Sequence, residues 1–144
     1  NSLTGPSVML VWASDTLPPG EPAPGGVATN ALPAIGTKGI PLTFTGCLHL
    51  KSAVTRIADD LMLLNPAWVE ADAFTGYRAL TTDPAEPHAA NALALGGAVI
   101  HPLQHVRTRA RLEAAGLTVV TVPQVELAKA EAGVTCCSLL VEVP

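Results

Sequence analysis

A thiol and an imidazole are the two groups in this chain that could do covalent chemistry together. Cys136 lies in Val134-Thr135-Cys136-Cys137-Ser138-Leu139. Residues 134–141 read as a near-continuously apolar strand, buried on both faces. Successive side chains on a strand point to opposite faces, so one cysteine can enter a core while the other faces a pocket. As a thiolate the second would attack electrophilic carbon, given a base or a nearby cation to lower its pKa. Composition alone favours the plainer account, in which both cysteines are small buried hydrophobes.

Four histidines could supply the base. His88 falls in a proline-flanked turn and reads as exposed. His101 ends a strand beside Pro102, and His105 opens a helix. His49 differs, because Cys47-Leu48-His49-Leu50-Lys51-Ser52 is an apolar setting in which an imidazole must find partners or stay neutral. A satisfied core histidine explains that position as well as a catalytic one does, and a lone Cys with a distant His is a candidate pair only. Metal chemistry has less support: Cys136-Cys137 lacks C-x-x-C spacing, and no His-x-His or carboxylate pair accompanies it. No glycine pattern that cradles phosphate occurs, so no cofactor is expected. Asp59-Asp60 reads as a hairpin turn.

The elements that would carry these residues follow from periodicity and breakers. Residues 7–12 read as a short strand. Residues 13–38 carry Pro18, Pro19, Pro22, Pro24 and Pro33, each lacking a backbone donor, and read as one irregular segment. Strands are expected at 40–45, 49–57 and 61–64, then a short helix at 68–75 and a strand at 77–82. Residues 91–95 and 98–101 flank Gly96-Gly97, a hairpin signature. A helix over 106–115 should turn Arg107, Arg109, Arg111 and Glu113 largely outward and end at Gly116. A strand at 117–122 and a short helix at 125–130, with Glu126 early and Lys129 late, complete the run. Residues 46–82 and 91–122 repeat one pattern roughly forty residues apart, so stacked modules are expected.

Composition excludes several classes. The 144 residues are 49% hydrophobic and 14% charged with net charge −4, a globular balance with no basic patch for nucleic acid. No run of about 18 apolar residues suggests a membrane span. Three cysteines, two of them adjacent, read as cytosolic thiols rather than a disulfide framework, which places the protein in the cytoplasm. The start at Asn1-Ser2-Leu3 is neither a leader nor an initiator methionine, so upstream residues are expected.

Two segments, in order, carry a resemblance to a known family. Gly46-Cys47-Leu48-His49-Leu50-Lys51-Ser52 is similar to the Leu-His-Leu-Lys-Ser motif around the catalytic histidine of dimethylarginine dimethylaminohydrolases. Leu127-Ala128-Lys129-Ala130-Glu131 with Val134-Thr135-Cys136-Cys137-Ser138-Leu139 resembles the segment carrying their nucleophile. Asn65-Pro66, Ala89-Ala90-Asn91 and Arg111-Leu112-Glu113-Ala114-Ala115-Gly116-Leu117 fit as well, and the likeness covers residues 46–142. It implies an α/β fold, the pentein propeller, in which five ββαβ modules surround a substrate channel. The chain would be a partial propeller, with residues 39–144 its last modules and residues 1–38 a degenerate upstream segment.

The resemblance also implies roles. Cys136, the first cysteine of the pair, would be the nucleophile and His49 the general acid/base, hydrolysing N-methylated arginine to citrulline and dimethylamine. Ser52, the Ala130 backbone and Glu131 would contact substrate. The family's upstream acidic motif meets only Leu3-Thr4-Gly5-Pro6-Ser7-Val8, so Thr4 and Ser7 stand where acids are expected. Its Arg-Thr-Asn motif finds Ala28-Thr29-Asn30. A catalytically incomplete module, or a sister arginine deiminase or amidinotransferase, therefore stays open beside the hydrolase. Partners would be a small-molecule substrate and either missing amino-terminal modules or a second copy, since isolated modules expose sheet edges.

Overall fold

A computed structural model describes residues 44–47, 49–130 and 132–139. The irregular segment expected at residues 1–38 and most of the strand expected at 40–45 lie outside them. Of that strand, Phe44 forms an isolated antiparallel bridge with Val69, and the Thr45 N–H donates to the Trp68 carbonyl at 3.0 Å.

The repeat read from the sequence is a repeat of structure. Each copy is an antiparallel hairpin followed by a crossover to a third strand parallel to the second. The first copy comprises β1 (Val54–Ala58), β2 (Leu61–Leu64), a 3-10 turn (Ala71–Ala73) and β3 (Arg78–Thr81). The second comprises β4 (Leu93–Leu95), β5 (Ala98–Pro102), α2 (Val106–Ala114) and β6 (Thr118–Val122). A single helical turn, α1 (Leu50–Ala53), precedes the first copy, and α3 (Val125–Lys129) follows the second. The fold is mixed α/β, two three-stranded ββαβ-like sheets ordered β1-β2-β3 and β4-β5-β6.

Strand β2 organises the core. All four of its side chains are buried. Alternation sends Met62 and Leu64 into a cluster with Phe44, Ala53, Val54, Val69 and Phe74, while Leu61 and Leu63 join Ile57, Ala92, Val99 and Leu112. The second cluster draws on both copies and fuses them. In the β4–β5 hairpin, Gly96 and Gly97 adopt φ of 57° and 80°, the left-handed pair that a two-residue turn between twisted strands requires.

Helix α2 lies on the second sheet with Thr108 and Leu112, one turn apart, fully buried. Its C-terminus closes as the Leu112-to-Leu117 sequence predicts. The Leu117 N–H returns to the Leu112 carbonyl and that of Gly116 to Glu113, satisfying two carbonyls that the helix end would strand. Its N-terminus is capped from a distance: Glu86 accepts the N–H groups of Arg107 at 3.0 Å and Thr108 at 2.7 Å. Arg111 does not point outward as the helix period suggests. Its guanidinium turns onto the end of β3, donating to the Thr81 and Thr82 carbonyls and to the Asp83 carboxylate at 3.1 Å.

Three expected elements differ. The strand at 49–57 begins only at Val54, because the His49 carbonyl accepts the Ser52 N–H at 2.9 Å and winds the chain through α1. That turn buries the adjacent residues Ser52 and Ala53, which a strand would send to opposite faces. The helix at 68–75 is reduced to one 3-10 turn. Asn65 folds the chain back first, its carbonyl accepting from Trp68 and Val69, and Val69 is then held extended by Phe44. The apolar strand at 134–141 is, over its described residues, a turn with both cysteines exposed. Local bonds, Cys136 N–H to the Gly133 carbonyl at 3.1 Å and the Ser138 hydroxyl to the Val134 carbonyl at 2.6 Å, take the place of a ladder.

Glu86 makes the fold's stability depend on pH. Desolvation pushes its carboxyl up, but the N–H donors of Arg107 and Thr108 and the neighbouring charge of His105 outweigh it and hold the pKa low. A depressed pKa contributes stability that is present above the unfolded value of about 4.3 and fades as pH falls through the folded one. Glu86→Ala is expected to cost about 1–2 kcal/mol at neutral pH, as loss of a helix cap does. Urea denaturation should show that loss shrinking in acid, and a constant loss across pH would refute it.

Candidate functional site

The backbone brings five separate segments around one cavity of about 160 Å³. Ser52 comes from α1, His88 and Asn91 from the turn before β4, and Gln104 and His105 from the β5–α2 junction. Gln124 and Ala128 lie at and on α3, and Ala132 and Gly133 follow it. Asn65 sets two of these walls relative to each other. Its N–H donates to the Ala53 carbonyl at 2.8 Å, its Nδ2 to the Pro87 carbonyl at 3.0 Å, and its Oδ1 accepts from Ala67 at 2.9 Å.

Six of these nine described residues carry polar side chains, and none of the nine is a carboxylate, lysine or arginine. His88 packs edge-on against Trp68, ring centroids 4.9 Å apart. His105 meets His101 at 5.9 Å, again edge-on. His101 has no exposed surface, and its Nε2 lies 2.9 Å from the Ala89 carbonyl. A carbonyl only accepts, so Nε2 carries the proton, and Nδ1 has no side-chain hydrogen-bond partner among the described residues. Burial pushes the His101 pKa down, more than the Ala89 bond and the Glu86 charge raise it. Burial lowers His105 likewise, reinforced by His101.

Two buried amides fasten the segment beyond α3. Asn91 Oδ1 accepts from the Thr135 N–H at 3.1 Å and from its hydroxyl at 3.2 Å. Gln124 Nε2 donates to the Ala132 carbonyl at 2.6 Å. Gly133 is required between them, because a Cβ there would overlap the Asn91 amide.

Of the residues singled out in the sequence, Ser52 lines the cavity and is buried. His49 and Cys136 each sit one hydrogen-bonded turn from the lining, His49 through Ser52 and Cys136 through Gly133. His49 is exposed, not enclosed by apolar neighbours, because α1 turns its buried face through Ser52 and Ala53 instead. Ala130 is exposed at the end of α3, its N–H donating to Leu127. Glu131 lies outside the described residues. Sequence reasoning passed over Gln104 and Gln124 and gave Asn91 no role in a site. A lone amide inside Ala89-Ala90-Asn91-Ala92 was the available signal, since a polar side chain in an apolar run needs a partner. Among the described residues no group of three or more His, Cys, Asp or Glu could hold a metal ion, and no helix is long and apolar enough to cross a membrane.

The repeated ββαβ sheets match part of a pentein-type α/β-propeller. Two solved dimethylarginine dimethylaminohydrolases share it. One, from Pseudomonas aeruginosa, is a cysteine-to-serine mutant complexed with citrulline. It aligns at TM-score 0.69 and 24% identity, over 78% of this chain and 44% of its own. The other, a histidine-to-glycine adduct with S-methyl-L-thiocitrulline, aligns at 0.70 and 22%, over 88% and 49%. An amidinotransferase from Microseira wollei, of saxitoxin biosynthesis, aligns at 0.57 and 18%, over 70% and 34%. This chain thus spans less than half the length of each. No protein-family model and no curated protein matches it.

Because His101 is held neutral, stability should fall as pH drops below the ordinary imidazole value of about 6.5, where the unfolded chain takes the proton first. That window lies above the one set by Glu86. The check is the His101 ring titration by NMR beside the urea midpoint; a ring titrating at or above the ordinary value would rule this out.

Proposed function

We propose that this chain is the carboxy-terminal part of a cysteine hydrolase acting on the guanidinium of N-methylated arginine, with Cys136 as nucleophile and His49 as general acid/base. One observation carries the reading. A single cavity takes lining residues from both motif segments, Ser52 from the one bearing His49 and Ala128 from the one bearing Cys136. The two segments lie far apart in the chain and resemble one family in both sequence and fold.

In this reading the Cys136 thiolate attacks the guanidinium carbon, and His49 protonates the departing dimethylamine. A covalent thiouronium remains. His49 then takes a proton from water, the water oxygen adds to the same carbon, and the carbon–sulfur bond breaks to release citrulline and the thiolate. Ser52, the Ala130 backbone and Glu131 would hold the amino-acid portion. Among the described residues the cavity presents no carboxylate, and in this reading acids from the rest of the propeller would grip the cationic guanidinium. The same feature favours a second reading, a catalytically incomplete module in which the fold outlasted the activity.

Citrulline release from asymmetric dimethylarginine, measured on the protein with the rest of its propeller present, decides between them. Cys136→Ser should lower turnover at least about 1,000-fold, the scale on which loss of a nucleophile acts, while Cys137→Ser stays within about tenfold. Equal turnover in wild type and Cys136→Ser would remove Cys136 from the mechanism. A folded wild type that releases no citrulline would leave the incomplete module standing.

A further inference from the structure

We infer that Asn91 is a positioning residue for Cys136, acting through Thr135, with Gln124 as a second clamp on the same loop. The functional meaning rests on Cys136 being the nucleophile of the proposed reaction; the geometry does not.

Cys136 is exposed, so burial does not hold it in place. Its position comes from the residues before it. Ala132 is tied by Gln124, Gly133 packs against the Asn91 amide, Val134 is buried, and Thr135 is bonded twice by Asn91 Oδ1. The Cys136 N–H then donates to Gly133, which fixes the turn itself. The Asn91–Thr135 bonds span 44 residues of sequence and join the turn before the second module's first strand to the loop of Cys136. A nucleophile needs this kind of support from a rigid element, because small displacements cost large factors in rate.

The clamp is kept at a cost. Asn91 and Gln124 are both more than nine-tenths buried, and each retains an atom with no partner among the described residues, Nδ2 in Asn91 and Oε1 in Gln124. An apolar side chain of similar size would leave no such atom. What Asn91 supplies and an apolar residue could not is the Oδ1 acceptor for Thr135. The variant that isolates this is Asn91→Asp, which keeps an acceptor there, beside Asn91→Ala, which removes it.

The test is amide hydrogen exchange in the full chain, read at Cys136 and at Ile100 in β5, with steady-state kinetics where citrulline is released. In Asn91→Ala, exchange at Cys136 should speed up at least about tenfold, the scale of one lost buried hydrogen bond, while Ile100 changes less than threefold. Asn91→Asp should recover Cys136 to within about threefold of wild type. Where turnover is present, Asn91→Ala should lower kcat about tenfold or more and leave KM within about threefold. Unchanged exchange at Cys136, equal acceleration at Ile100, or equal behaviour of the Ala and Asp variants would each overturn the inference. If Asn91→Ala does not fold, Thr135→Val removes one of the two donors in place, and the same comparison of Cys136 with Ile100 decides. Absence of citrulline turnover bears on the hydrolase reading alone, since exchange then decides the positioning by itself.

Discussion

The burial of β2 on both faces is the constraint from which the rest follows. Four consecutive large apolar side chains, Leu61 to Leu64, leave no polar edge through which that strand could meet water. It must therefore be a middle strand, paired antiparallel with β1 and parallel with β3, with material packed above and below. Each side chain that leaves water contributes roughly 1.5–3 kcal/mol, so the layer that Leu61 and Leu63 form with Ala92, Val99 and Leu112 holds the first module to the second more firmly than any surface ion pair could. The parallel partner in turn demands a crossover, and the crossover begins at Asn65. That residue leaves β2 directly and ties α1 to the turn before β4. Two walls of the cavity are thus set by the strand that forms the core.

Beside that apolar layer, the junction between the modules has a polar side. Thr108 Oγ1 accepts the Asp83 N–H, Glu86 closes the start of α2, and Arg111 gathers the end of β3. These contacts cross from one module to the next, where an apolar seam would hold as well but would specify register less sharply. The half-buried ion pair of Arg111 with Asp83 works as part of that network; alone and exposed it would contribute little.

What could be read in advance divides along the same line. The apolar run of β2, the Gly96-Gly97 hairpin, helix α2 with its Gly116 end and the module repeat are each carried by residues adjacent in sequence, and all appear in the structure. What went astray depended, His49 apart, on residues far away in the chain. Arg111 faces β3 because of Asp83, not because of its place in the helical period. Residues 134–139 form a turn because Asn91 takes the Thr135 N–H that a strand would have paired with a neighbouring strand. His49 is exposed because one helical turn beside it uses Ser52 and Ala53 to reach the core. The motif residues were legible as residue types, but their surroundings were not.

A nucleophile on a buried strand would inherit its direction from the ladder, and every neighbour would share in its burial. A nucleophile on an exposed turn has no such frame, and side chains from elsewhere must provide one. In this chain the frame consists of two amides whose spare atoms have no partner among the described residues, and a glycine without which one of them would not fit. Both amides belong to segments bounding the second sheet, Asn91 before β4 and Gln124 after β6. The position of Cys136 is therefore tied to the packing of that one module. His49 is tied, through Ser52 and Asn65, to the first. In the proposed reaction the pairing of the Cys136 thiol with the His49 imidazole would depend on how the two modules meet, and the apolar part of that contact is the layer beneath β2, where Leu61 and Leu63 pack with Ala92, Val99 and Leu112.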